Sequence, residues 1–170
     1  MTVVSDSSTM SETGSERLWN SSIAGDLAFL LARANALSLA HVNSALEEYD
    51  LRIRQYSVLA MAASGERPTQ RELSEFLRLD PSQVVALVDG LEKRGLVERE
   101  VDVRDRRAKV ITATRAGETL CLQARAAVRV SEDHWFAILS EDDAARLGPI
   151  LRLIAREIDY EGTPDPTSAK

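Results

Sequence analysis

The stretch DPSQVVALVDGLEKRGLVEREVDVRDRRAKVITA, residues 80–113, decides the fold. Its first half has apolar residues at 84, 87, 88 and 91, the spacing of one buried helical face, and it begins with an acid followed by a proline, a common helix start. Gly95 ends this helix. Two β-branched runs at 96–101 and 108–113 then read as strands separated by a polar loop. The stretch therefore predicts a short helix followed by a two-stranded hairpin.

Helical periodicity continues on both sides of this stretch. Thr69 and Glu72 have the spacing of a capping box, which opens a short helix expected to bury Leu73, Phe76 and Leu77. The order of two helices, a short helix, a turn, a second short helix and a hairpin is that of a winged helix-turn-helix. We expect a mainly α protein with a small wing of two to three strands. The other helices are predicted at 21–50, 53–64, 115–139 and 140–160.

The two ends of the chain differ in composition from its middle. Residues 1–17 contain eight Ser or Thr and little to bury, and residues 161–170 contain a glycine and two prolines. Such segments cannot offset the entropy of ordering, so both are predicted to be disordered tails. The ordered domain is expected over residues 18–160.

Composition excludes several classes of protein. The 170 residues carry 21 Lys and Arg against 27 Asp and Glu, a net charge of −6, which excludes a generally basic nucleic-acid coat. With one cysteine and two histidines, neither a disulfide framework nor a cysteine zinc site is expected. Apolar runs are too short for a membrane span, and a nucleophile motif or glycine-rich phosphate loop is lacking. We expect a cytoplasmic protein that is not an enzyme and has no cofactor or metal.

Basic charge is nevertheless concentrated around the hairpin. Residues 93–109 hold seven basic and four acidic residues, a local net charge of +3 that leaves −9 for the rest of the chain. In a winged helix-turn-helix the second short helix enters the major groove, and the hairpin tip reaches the flanking backbone or the minor groove. This predicts contact with double-stranded DNA from two groups of residues. The helix group is Ser82, Gln83, Val85, Ala86, Asp89 and Lys93, and the loop group is Arg104, Asp105, Arg106 and Arg107.

Two structural alternatives stay open for these residues. The loop arginines can form a solvated hairpin that is paired internally with Asp102 and Asp105. Gln83 can serve only a capping box at the start of its helix. Neither alternative requires DNA.

The chain resembles the multiple antibiotic resistance regulator (MarR) family of bacterial repressors. The resemblance rests on LVDxLExxGLV at 87–97, on DxxDxR at 102–107 and on TxxG at 114–117, and it extends more loosely over about residues 22–160. It implies a homodimer that binds a pseudo-palindromic site. The dimerisation helices would be 21–50 and 115–160, and the DNA-binding lobe 53–113. It also implies that Arg107 enters the minor groove and that Asp105 braces it.

The recognition helix departs from the family pattern at two positions. Ala86 stands where an arginine is frequent, and Val85 where threonine is common. Bidentate base recognition by an arginine is therefore lost there, and apolar contact with a thymine methyl group is the expected substitute.

The resemblance also implies a small-molecule effector, by default a weakly acidic aromatic compound. The expected cavity lies where the first, second and fifth helices meet the winged lobe, with His41 and Tyr56 as candidate polar contacts. Both residues can instead be ordinary core side chains, and the pair Trp135 and Phe136 is expected in the dimer interface. Two functional hypotheses remain: a ligand-responsive DNA-binding regulator, or a winged-helix protein-interaction module that does not bind DNA.

Overall fold

A computed structural model describes residues 14–103 and 105–156, and the order of its elements confirms a winged helix-turn-helix. Short 3₁₀ turns, Ser22–Gly25 and Glu47–Tyr49, flank the first long helix. The elements are α1 (Gly14–Trp19), α2 (Leu27–Leu46), α3 (Ile53–Ala62), α4 (Gln70–Leu77), α5 (Pro81–Lys93), β1 (Val97–Val101), β2 (Lys109–Ala113), α6 (Arg115–Phe136) and α7 (Glu141–Arg156).

The lobe formed by α3 to β2 has an apolar core. The predicted inner face of α5 is confirmed at Val84, Val88 and Leu91, which are fully buried, whereas Leu87 is half-buried. The two strands pair antiparallel, with Val97 opposite Ala113 and a single further bridge from Thr69 to Val110. The described sheet therefore has two strands, the lower number of the two to three expected.

The long helices α2 and α6 lie against each other but are only half covered. Val42 and Leu46 of α2 pack in one cluster with Ala124 and Val128 of α6. The N-terminal half of α2 buries nothing, and Leu27 is 83% exposed. The described residues of α7 are likewise all outside the core. Both of these helices therefore leave apolar side chains exposed in the single chain.

The first helix was predicted to be continuous over 21–50, and this prediction was wrong. Gly25 lowers helix propensity, and the backbone of Asp26 is extended, so α2 starts at Leu27 with Asp26 as its N-cap. The short helix α1 also forms at the end of the segment that was predicted to be disordered. Its Trp19 ring centroid lies 5.1 Å from the guanidinium carbon of Arg33 on α2, and this cation–π contact packs α1 against α2.

The prediction that Phe76 is buried was also wrong, because its side chain is 71% exposed. Leu73 and Ser74 are the buried residues of α4, and the Ser74 hydroxyl donates to the carbonyl of Leu79 at 2.6 Å. The buried face is thus turned toward Ser74, which leaves Phe76 on the outside. Residues 1–13, 157–160 and the tail at 161–170 lie outside the described part of the chain, as does Arg104. None of the described helices is long and apolar enough to cross a membrane.

Candidate DNA-binding surface

The outer face of α5 presents the residues that the sequence assigns to the major groove. Ser82, Gln83, Val85, Ala86 and Lys93 are exposed, opposite the buried inner face. Among the described contacts at the start of α5, the side chain of Asp80 makes no capping bond. Gln83 donates its backbone N–H to the Asp80 carbonyl at 2.9 Å instead of completing a capping box. The Gln83 side chain is therefore available at the surface, and the capping alternative is not realised.

Asp89 differs from the other residues of this face because its carboxylate is paired with another residue of the same lobe. The guanidinium of Arg99 on β1 pairs with Asp89 and with Glu92, one turn apart on α5. Only 18% of the Arg99 side chain is accessible, whereas the side chains of Asp89 and Glu92 are 58% and 41% exposed. Asp89 is thus occupied by an intramolecular ion pair, and Arg99 pairs with two carboxylates beside the exposed outer face of α5.

Arg99 was missed by the sequence reasoning, which counted it only as local basic charge. Strand periodicity could have found it. Arg99 lies two residues after the buried Val97 and therefore on the same face of β1, turned toward α5. Acids spaced i and i+3 on the preceding helix are natural partners for a guanidinium at that position.

The wing tip is a tight turn organised by Asp105. Its carboxylate accepts the backbone N–H of Arg107 at 2.9 Å, and its carbonyl accepts the N–H of Ala108 at 2.9 Å. The N–H of Asp102 then closes the hairpin on the Ala108 carbonyl at 3.0 Å. Arg106 and Arg107 project from this turn and are exposed.

The contact of Asp105 differs from the expected one. The resemblance implied that Asp105 braces the arginine itself, whereas the described contact goes to the backbone of Arg107. Asp105 consequently sets the shape of the turn from which the Arg107 side chain leaves. The internally paired alternative for the loop is not seen for Arg106 and Arg107 in the described residues, whose ion pairs involve other side chains.

The start of α4 is fixed to the wing. The capping box is confirmed: the Glu72 carboxylate accepts the backbone N–H of Thr69 at 2.7 Å, and Glu72 donates its N–H to the Thr69 hydroxyl at 3.2 Å. The bond from the Thr69 backbone, followed by that from its hydroxyl, holds the pKa of Glu72 below its ordinary value. Next to it, Pro68 accepts the N–H of Ile111 at 2.8 Å, and Arg67 pairs with Glu100 at 2.6 Å.

The two candidate effector contacts have different surroundings. Tyr56 is half-buried against the core, whereas His41 is exposed with its ring centroid 5.8 Å from that of Trp135. The alternative that His41 is an ordinary core side chain is therefore not realised within the single chain. A hollow on α7, lined by Gly148, Pro149, Arg152, Leu153 and Arg156, includes neither candidate.

Comparison with known proteins places this surface in a family. Residues 49–108 match the family model described as MarR family. A transcriptional regulator of the MarR family from Rhodococcus sp. RHA1 is 38% identical, with a TM-score of 0.73 over 79% of this chain and 96% of that one.

Two further solved structures share the fold over nearly their whole length. CouR from Rhodococcus jostii RHA1, bound to p-coumaroyl-CoA, is 37% identical, with a TM-score of 0.73 over 82% of this chain and 98% of that one. A transcriptional repressor CouR bound to a 23-mer DNA duplex is 27% identical, with a TM-score of 0.72 over 79% and 95%. Sequence identity and the winged helix agree, and the chain belongs to the MarR family of transcriptional regulators.

Proposed function

We propose that this protein is a transcriptional repressor that binds a pseudo-palindromic operator as a homodimer and is released by a small effector. The observation that carries the proposal is the outer side of the winged lobe. There the exposed Ser82, Gln83, Val85 and Ala86 of α5 lie in the same lobe as a wing tip carrying Arg106 and Arg107. On an acidic chain this is a small basic footprint for phosphates beside a helix that can read bases.

The homodimer is supported by the apolar surface that one chain leaves uncovered. On α7 Leu153 is 75% exposed and Ile154 is 53% exposed, and at the other end Ile23 and Leu31 are each 50% exposed. Exposed apolar side chains grouped in this way on a helix are typical of an association surface. A second copy would cover both ends of the chain and set two recognition helices at a fixed spacing, as a palindromic site requires.

The effector is proposed to be an aromatic acid or its coenzyme A thioester. Support comes from the CouR structure with p-coumaroyl-CoA and from the half-buried phenol of Tyr56 at the junction of α3 with the core. Binding between the dimerisation helices and the lobe would favour a lobe spacing that mismatches the DNA. His41 and Tyr56 remain the proposed polar contacts.

Selection from a random pool of duplexes tests the DNA-binding proposal against the protein-interaction alternative. We expect enrichment of two half-sites related by a dyad, about ten base pairs apart centre to centre. Sedimentation at low micromolar concentration should show one species of about twice 18.7 kDa. A monomer, or a pool that is not enriched, would contradict the proposal and favour the protein-interaction module.

Titration of the selected complex tests the effector. We expect p-coumaroyl-CoA to release the DNA, with coenzyme A alone as the control that separates the aromatic acyl group from the nucleotide. His41→Ala and Tyr56→Phe should each shift the release to higher concentration. Release by neither the thioester nor the free acid would contradict the proposed effector class.

A further inference from the structure

Residues 94–96, which follow directly after α5, make hydrogen bonds to residues at the ends of both long helical segments. Arg94 is the C-cap of α5, and Gly95 has a φ of +68°, a left-handed turn that suits glycine. The chain then enters β1. The recognition helix and the wing thus meet at this short connection.

The first set of hydrogen bonds joins Arg94 to the end of the 3₁₀ turn that follows α2. The Arg94 guanidinium donates to the carbonyls of Asp50 and Tyr49 at 2.6 and 3.1 Å, and it lies 3.7 Å from the Asp50 carboxylate. Asp50 has a φ of +51° and ends the 3₁₀ turn that continues α2. Carbonyls at a helix end lack partners within the helix, so a cation there both satisfies them and complements the helix dipole.

The second set of hydrogen bonds comes from Thr114 at the start of α6. Thr114 donates its hydroxyl to the Gly95 carbonyl at 2.7 Å and its N–H to the Leu96 carbonyl at 3.1 Å. The same hydroxyl accepts the N–H of Gly117 at 3.1 Å. Thr114 therefore caps α6 and also bonds the connection at residues 95 and 96.

These contacts are directional, whereas the apolar packing around them is not. Apolar side chains tolerate small rotations of one helix over another, but two carbonyls bonded to one planar guanidinium fix an angle. The thirteen residues of α5 are about 18 Å long. A rotation of about 10° at residue 94 would therefore move the N-terminal end of α5 by about 3 Å, nearly the rise of one base pair.

We propose that Arg94 is a positioning residue for operator recognition. By joining the end of α5 to the end of α2, it acts together with the contacts of Thr114 at Gly95 and Leu96 and sets the angle at which the recognition helix leaves the dimerisation helices. That angle determines the half-site spacing that the protein accepts. The spacing role depends on the proposed function, whereas the fixed angle is a property of one chain.

The angle can be measured without DNA. Spin labels at Ser82→Cys on α5 and Gln123→Cys on α6, in a Cys121→Ala background and diluted with unlabelled chain, report one intrachain distance. Arg94→Ala is expected to shift or broaden this distribution by about 3 Å, from the same lever arm. Arg94→Lys keeps the charge but lacks the two guanidinium nitrogens that bond the two carbonyls, so it should give a smaller effect of the same kind. The matched control Arg52→Ala removes an arginine whose described ion pair is with Glu47 at 4.0 Å, within the same junction, and should leave the distance unchanged.

The consequence for DNA is measured with the duplex selected by the unmodified protein and with the same duplex lengthened by one base pair at its dyad. The unmodified protein should prefer the first, and Arg94→Ala should reduce this preference about tenfold, while binding to random duplex and its salt dependence are kept.

Three results bear on the proposal in different ways. Unchanged distances in both Arg94 variants would overturn it. Equal losses on all duplexes, with the salt slope lowered by about one, would also overturn it, because Arg94 would then be a phosphate contact. If the unmodified protein selects no duplex, the proposed function fails, and the distance measurement still decides whether Arg94 fixes the helix.

Discussion

A Cβ atom placed on Gly117 would lie 1.9 Å from the backbone oxygen of Leu96. The first turn of α6 therefore passes directly over the chain that leaves the recognition helix, at a distance that any side chain would forbid. The same oxygen accepts the N–H of Thr114, so close approach and hydrogen bonding occur at one point. The TxxG motif is needed here for its shape: threonine supplies the cap, and glycine leaves the space.

Gly117→Ala is expected to destabilise the protein by about 2–3 kcal/mol, because the obstacle is backbone and cannot rotate away. Urea unfolding at fixed protein concentration measures this. Gly90→Ala is the matched control, since a Cβ there meets nothing within 4 Å and α5 should gain up to about 1 kcal/mol. Equal stability of the Gly117 variant and the unmodified protein would contradict the described approach of α6.

Arg99→Ala is expected to weaken binding to every duplex, because it leaves the carboxylates of Asp89 and Glu92 unpaired beside DNA phosphates. Fluorescence anisotropy on selected and random duplexes measures the loss. Adding Asp89→Asn and Glu92→Gln to Arg99→Ala should restore most of the affinity. A triple variant as weak as the single one would show that Arg99 itself contacts DNA or that the carboxylates are irrelevant.

Asp105 gives a test that separates shape from charge at the wing. Asp105→Ala removes the acceptor for the Arg107 N–H and should weaken specific binding, although it makes the wing more positive. Asp105→Asn keeps an acceptor oxygen and removes the charge, so it should bind at least as tightly as the unmodified protein. If both variants bind more tightly, the turn has no role and the wing acts only through its charge.

Arg107 and Arg106 should differ in kind. Arg107→Ala is expected to cost about 1–3 kcal/mol per protomer and to relax the preference for A·T pairs at the outer edges of the site. Arg106→Ala should weaken all sequences alike and lower the salt slope by about one. Binding to a set of operator variants at two salt concentrations distinguishes the two patterns, and identical behaviour would contradict the assignment of Arg107 to the minor groove.

The capping box at α4 predicts a pH dependence of stability. The folded pKa of Glu72 is lowered, so its carboxylate contributes stability that is present above the unfolded value of about 4.3 and is lost as pH falls through the folded pKa. Glu72→Ala should therefore be less stable at pH 7, and the difference should shrink below about pH 4. Thermal unfolding across this range checks it. Thr69→Ala, which removes the other half of the box, should cost about 1 kcal/mol.

The recognition helix and the hairpin could be predicted because their signals are local. Val84, Val88 and Leu91 repeat at helical spacing, and Pro81 and Gly95 mark the two ends, so neighbouring residues alone determine the element. The break at Asp26 was missed because the apolar pattern continues across it. Phe76 was predicted to be buried because it lies three residues after Leu73, a spacing that fits a buried helical face. The face that is buried in the structure contains Leu73 and Ser74 instead.

The contacts that hold the surface in place could not be predicted in the same way. Arg94 meets carbonyls 44 and 45 residues earlier in the chain, and nothing in the local pattern indicates a backbone partner so distant. Arg99 has partners seven and ten residues away on another element, a pairing that depends on how β1 lies against α5. His41 is exposed, and the ring beside it belongs to Trp135 on α6, a neighbour that lies far away in the sequence.

The salt dependence of duplex binding tests the central claim most directly. The full chain is titrated onto the duplex that it selects, at KCl concentrations from about 50 to about 300 mM. Over this range the salt dependence of phosphate contacts changes the affinity by orders of magnitude. A dimer that uses the arginines of two wings and the ends of two recognition helices should give a log–log slope of about −5, the value for about six phosphate contacts. A slope near zero would contradict the account.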